Sequence, residues 1–118
     1  MKHRPFRERL AFALAGIAEA FRGESSVRVQ VAAAALVFAS LVAIRPAPVW
    51  WATVALTVAL VLAAELFNTS LERMLDHLHP ELHPAIRTAK DCGAAAVLVL
   101  SAAAICVYVA MLIDAWIE

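Results

Sequence analysis

The sequence predicts an all-α membrane protein, with an N-terminal amphipathic surface helix followed by three transmembrane helices. Three observations predict it. Of the 118 residues 64% are hydrophobic and the mean hydropathy is +0.79, well above the values of soluble domains. The apolar residues gather into three runs of near-membrane length, and the lysines and arginines are segregated between them. A soluble three-helix bundle fits poorly, because these runs are apolar on every side and not along one stripe. At this length the chain is a single domain, residues 1–118. Its zero net charge gives no electrostatic case for a nucleic-acid partner. No cleavable signal peptide is expected, since the N-terminus is basic and amphipathic for too long before an apolar core begins. Cys92 and Cys106 fall in one apolar run and read as small packing residues, not as a disulfide framework.

The surface helix is expected over about residues 5–22. Phe6, Leu10, Ala13, Leu14, Ile17 and Phe21 recur at three- and four-residue spacing, with Arg7, Glu8, Arg9, Glu19 and Arg22 between them. That pattern suits a helix lying in the membrane surface, arginines toward anionic headgroups. It reads either as a plain anchor or as part of a lipid-access site. Gly23 and Glu24-Ser25-Ser26 mark a break, with a serine available as helix cap.

The transmembrane helices are expected at about 29–44, 49–67 and 93–113, near the roughly 20 residues that a bilayer requires. Arg45-Pro46-Ala47-Pro48 closes the first, because proline cannot continue a helix. Pro80 and Pro84 break the chain ahead of the third. Lys2, Arg4, Arg7, Arg9, Arg22 and Arg28 precede the first span, and Arg73, Arg87 and Lys90 lie in the 68–92 connection. The other side holds Arg45, Asp114 and Glu118. The positive-inside rule then places the N-terminus and the 68–92 connection in the cytoplasm and the C-terminus outside.

The second span ends in carboxylates. Glu65 lies about 24 Å along a helix that starts at Val49, near the cytoplasmic boundary. Asn68 and Glu72 follow three and seven residues on, and at about 100° per residue the three share one face, which Asp76 continues. An ionisable residue at membrane depth faces a bundle interior or a cavity and marks a site. The alternative is that Glu65 and Asn68 only hydrogen-bond helices together. Lys90 and Asp91, at the start of the third span, come to a similar depth. Carboxylates beside a lysine suit a magnesium nucleotide, in which the metal bridges phosphates and the lysine neutralises charge. With three glycines, Gly16, Gly23 and Gly93, the chain builds no phosphate-binding loop, so any nucleotide site is borne on helices. His77, His79 and His83 match no tight zinc spacing. A small proton-coupled transporter is the rival from another class, with Glu65 as its membrane carboxylate.

Two blocks then carry a resemblance. Glu65-Leu66-Phe67-Asn68-Thr69-Ser70-Leu71-Glu72 and Ala89-Lys90-Asp91-Cys92-Gly93-Ala94-Ala95-Ala96-Val97-Leu98 resemble the ExxNxxxE and AKDxxxxAV signatures of the prokaryotic diacylglycerol kinase family. These are small integral-membrane lipid kinases that include undecaprenol kinases. The interval between the blocks also matches, and Glu24 followed by Arg28 resembles the family's upstream pair. The resemblance implies a homotrimer of the bacterial inner membrane that phosphorylates a lipid alcohol with ATP and Mg²⁺, with sites shared between protomers. It implies Glu65 as general base, and Glu24 and Glu72 as Mg²⁺ ligands. Asn68, Glu81, Leu82, His83, Lys90 and Asp91 would then contact nucleotide, and Glu65, Arg28 and Ala94 the lipid. AKDCGAAAVL favours diacylglycerol as acceptor, whereas the HxxxHPxxxxAKD connection leans toward undecaprenol. Phe12 departs from a tyrosine found in many members, Pro5 stands near an expected arginine, and Gln30 takes a position that is often acidic.

Overall fold

The computed structural model describes residues 2–118. Among them it has four helices and no strand: α1 (Phe6–Gly23), α2 (Ser25–Ile44), α3 (Pro48–Leu78) and α4 (Pro84–Ile117). Helices α2, α3 and α4 are each long and apolar enough to cross a membrane. The three expected spans are thus present, but each is part of a longer helix. Polarity ends a span without ending a helix. Residues 68–78 are rich in Leu, Glu, Arg and Met, all good helix formers, so α3 runs on past Phe67 to Leu78. Helix α4 starts nine residues before Gly93, with Pro84 in its first turn, where a missing N–H costs nothing. His83 caps it, its Nδ1 accepting from the Ala85 N–H at 3.1 Å.

At 31 and 34 residues, α3 and α4 reach about 46 and 51 Å at about 1.5 Å per residue. The longest dimension of the molecule is 54 Å, so these two helices set it. Both exceed the hydrocarbon thickness of about 30 Å, and their polar ends project together, since residues 79–83 join them there.

The break between α1 and α2 is a single residue, Glu24, with extended φ −124° and ψ 119°. Neither Ser25 nor Ser26 caps α2 through its side chain, contrary to the expectation from sequence. The stabilising contact comes from the other side. Arg28 Nη1 donates to the Phe21 and Arg22 carbonyls at 2.8 and 2.9 Å, satisfying last-turn acceptors of α1 that have no helical partner. Arg45 ends α2 in the left-handed region (φ 56°, ψ 56°), its N–H bonded to the Leu41 carbonyl at 2.8 Å.

Packing is most extensive between α3 and α4. Leu41, Val54 and Met111 form the best-buried cluster, ringed by Val37, Phe38, Ile44, Trp50, Trp51, Val58, Val107 and Tyr108. Two polar contacts fix the helices laterally. Ser40 Oγ donates to the Val37 carbonyl and lies 2.6 Å from Tyr108 Oη, so the tyrosine is the donor of that pair. Trp50 Nε1 donates to Asp114 at 2.9 Å. Most of the apolar surface of the three long helices is left uncovered by the chain itself, the condition of helices that meet lipid or other protein. On α1, Phe6, Leu10, Leu14, Ile17 and Phe21 are all exposed and only Ala20 is buried.

Candidate functional site

Helix α3 carries its polar residues inward where it leaves the apolar segment. Glu65 is 4% exposed and Thr69 is 7% exposed, and these are the buried polar residues of the described chain. They stand four residues apart, on the face shared with Asn68 and Glu72. Asn68 Nδ2 donates to Glu72 Oε1 at 3.1 Å. An ionised carboxylate only accepts, so the amide turns its NH₂ toward Glu72 and its oxygen away. That oxygen is buried and has no hydrogen-bond partner. It lies against Gly93 of α4, at a place where an added Cβ would overlap it. The same Cβ would come within 3.2 Å of Leu71 Cδ2. Gly93 therefore sets how closely α4 approaches the acidic face of α3.

One turn beyond Glu72, Asp76 forms an ion pair and hydrogen bond with Lys90. Antiparallel α3 and α4 thus bring Lys90 to the carboxylate face, although the two residues are far apart in sequence. Lys90 and Asp91 also line a cleft of about 240 Å³ together with His79, Pro80, Glu81, Leu82, His83, Ile86 and Arg87. Glu81, Leu82, His83, Lys90 and Asp91, singled out from the sequence, share this one cleft.

Glu24 reaches the same end of the molecule through Arg73. Arg73 Nε lies 3.5 Å from Glu24 Oε1, and its Nη1 lies 3.6 Å from Glu19 Oε1. The helix break therefore rests on α3 one residue after Glu72. Arg28 turns its guanidinium onto the end of α1, as described above, and Ala94 is exposed on α4 beside Gly93. His77 is exposed, and His79 Nδ1 lies 3.6 Å from Glu81 Oε1.

Residues 11–112 match the family model described as prokaryotic diacylglycerol kinase. The chain belongs to that family. The matched stretch runs from the first half of α1 almost to the end of α4 and includes every residue of the site. Comparisons with curated proteins and with solved structures returned no match. As a prokaryotic diacylglycerol kinase family member the chain is lipid-kinase-like, a class that takes a lipid substrate and uses ATP as phosphoryl donor.

The donor atoms fit a hard divalent cation. Glu24 and Glu72 offer carboxylate oxygens, the ligands that Mg²⁺ prefers, whereas the Asn68 oxygen is buried against Gly93 and only its amide nitrogen meets Glu72. Among the described residues no three His, Cys, Asp or Glu side chains converge as a closed metal cage. Mg²⁺ in nucleotide sites commonly takes one or two carboxylates and completes its shell with phosphate and water.

Four residues not singled out from the sequence also contribute to the site. Thr69 carried a local signal, its four-residue offset from Glu65. Arg87 lay in the basic connection without a role. Gly93 stood inside the AKDCGAAAV block, but only the packing of α4 on Asn68 reveals its function. Arg73 had no local signal, because its partners Glu19 and Glu24 belong to another helix pair.

Proposed function

We propose that the protein phosphorylates diacylglycerol to phosphatidic acid, with ATP as donor and Mg²⁺ as cofactor. The observation that carries this reading is the buried Glu65, one helical turn from the Asn68–Glu72 pair and on the same helix face. A base for a lipid hydroxyl has to sit where the membrane ends and the nucleotide begins. Glu65 takes the hydroxyl proton as the hydroxyl oxygen attacks the γ-phosphorus. The bond from that phosphorus to the β,γ-bridging oxygen breaks, and ADP leaves. Glu24 and Glu72 would hold the metal, which would neutralise charge on the phosphate oxygens. Asn68 holds Glu72 in place. Lys90, with Asp91, Glu81, Leu82 and His83 of the cleft, engages the nucleotide, and Arg28 and Ala94 adjoin the lipid.

The same reading includes a homotrimer in the cytoplasmic membrane. Its N-terminus and 68–92 connection face the cytoplasm, and α1 lies on the membrane surface. What supports it is the uncovered apolar surface of α1, α2 and α4, together with the grouping of arginines and lysines at the Glu24–Lys90 end.

The test is transfer of labelled γ-phosphate from ATP to diacylglycerol and to undecaprenol, each in mixed micelles with the purified protein. Labelled phosphatidic acid formed faster than undecaprenyl phosphate is the expected result. Faster labelling of undecaprenol would reassign the acceptor, and labelling of neither lipid would remove the kinase reading.

A further inference from the structure

We infer that Arg73 is a positioning residue whose ion pair with Glu24 competes with a divalent cation for that carboxylate and so sets how readily the cation binds there. The inference rests on the proposed role of Glu24 and Glu72 as metal ligands. Arg73 lies over Gly23, where a Cβ would run into its guanidinium, with Cζ 3.5 Å away. The missing side chain at position 23 is what lets the guanidinium reach across the helix break. From there it meets Glu24 through Nε and Glu19 through Nη1.

The two carboxylates are not equivalent. Glu19 has a second cation, since Arg22 Nη2 donates to it at 3.3 Å. Glu24 has Arg73 alone among the described residues. Glu72 precedes Arg73 on α3 but points about 100° away around the helix, and its own partner is Asn68, so the arginine acts on Glu24. The guanidinium charge competes with an incoming cation, because it already neutralises the carboxylate that the metal needs. The pair is also weak enough to exchange: the Arg73 and Glu24 side chains are 42% and 31% exposed, and the contact is an ion pair without a short hydrogen bond. A metal site with this arrangement is gated by its own arginine. Removing Arg73 strengthens metal binding, whereas a merely structural arginine would leave it unchanged or weaken it.

The experiment is a Mn²⁺ titration of nucleotide-free protein in micelles, reading free Mn²⁺ by electron paramagnetic resonance. The variants are Arg73→Gln, Gly23→Ala, Glu24→Gln and the double variant Arg73→Gln/Glu24→Gln. Arg73→Gln is expected to bind Mn²⁺ about two- to fivefold more tightly than wild type, the ratio that an exposed arginine–carboxylate interaction commonly sets. Gly23→Ala keeps the charge, suits a helix end and displaces the guanidinium, so it moves affinity the same way by less. In the Glu24→Gln background the effect of Arg73→Gln disappears. Equal or weaker Mn²⁺ binding by Arg73→Gln, or a gain that persists without the Glu24 carboxylate, overturns the inference while leaving the metal site standing. Mn²⁺ binding that Glu24→Gln leaves unchanged overturns the metal role of Glu24, and the inference with it.

Discussion

The side-chain oxygen of Asn68 lies against the backbone of Gly93, at a point where α3 and α4 approach so closely that one added carbon would collide with it. The contact holds the amide in place from behind while its nitrogen grips Glu72 at 3.1 Å. The geometry of the acidic face is therefore set by the absence of a side chain on the neighbouring helix.

Gly93→Ala is expected to lower the thermal stability of the micellar protein by about 1–3 kcal/mol, the usual cost of overpacking. Either α4 moves away or Asn68 rotates and releases Glu72. Truncating Asn68 makes room for the new methyl, so Asn68→Ala/Gly93→Ala should be little less stable than Asn68→Ala alone. Thermal unfolding of the three variants checks this. Additive losses would mean that the two residues do not share the contact.

Glu24→Gln and Glu72→Gln should each raise the Mg²⁺ concentration needed for half-maximal phosphoryl transfer. Each substitution removes one hard, charged oxygen ligand. Superimposable Mg²⁺ titrations for wild type and both variants would count against the two roles.

Arg28→Ala removes the bonds that close the C-terminal turn of α1, a loss of about 0.5–1.5 kcal/mol of local stability. Amide hydrogen exchange at residues 22–25 should accelerate without a matching change elsewhere. Unaltered exchange there, coupled with a raised KM for lipid, would make Arg28 a substrate contact and nothing more.

The spans are legible in the sequence, because a helix that is apolar on every side needs lipid or protein all round it. The α3 face is legible too, since Glu65, Asn68 and Glu72 obey a helical period that tertiary structure need not supply. Helix ends are harder to read. The run from Leu71 to Leu78 lies in the polar connection by composition, and the face that Asp76 continues already points to helix there, but only its helix-forming residues carry α3 on to Leu78. The capping of the α1–α2 break is hidden for a related reason. Serine caps are local and visible in sequence, but Arg28 works backward across six and seven residues onto carbonyls of another helix. Arg73 over Gly23 and Asn68 against Gly93 are contacts between distant segments, and no local pattern announces either.

If the active site is shared between protomers, two inactive variants should complement one another. Glu65→Gln and Lys90→Ala/Asp91→Ala are denatured, mixed and refolded together into membranes. Some interfaces in the mixed oligomers then carry both defects and others carry none, so part of the activity returns. Each variant refolded alone stays inactive. A mixture as inactive as its components, despite cross-linked mixed oligomers, would place each site within one chain.

The central claim is that Glu65 is the base for the lipid hydroxyl, and the most direct measurement is single-turnover phosphoryl transfer by Glu65→Gln at saturating Mg²⁺ and ATP. Glutamine keeps the shape of the side chain and its capacity to hydrogen-bond but has no basicity. The variant is expected to express, assemble and bind nucleotide as wild type does, with turnover reduced at least about 100-fold, the lower range of general-base effects. Turnover above a tenth of wild type would contradict the base assignment and return Glu65 to a structural role between helices.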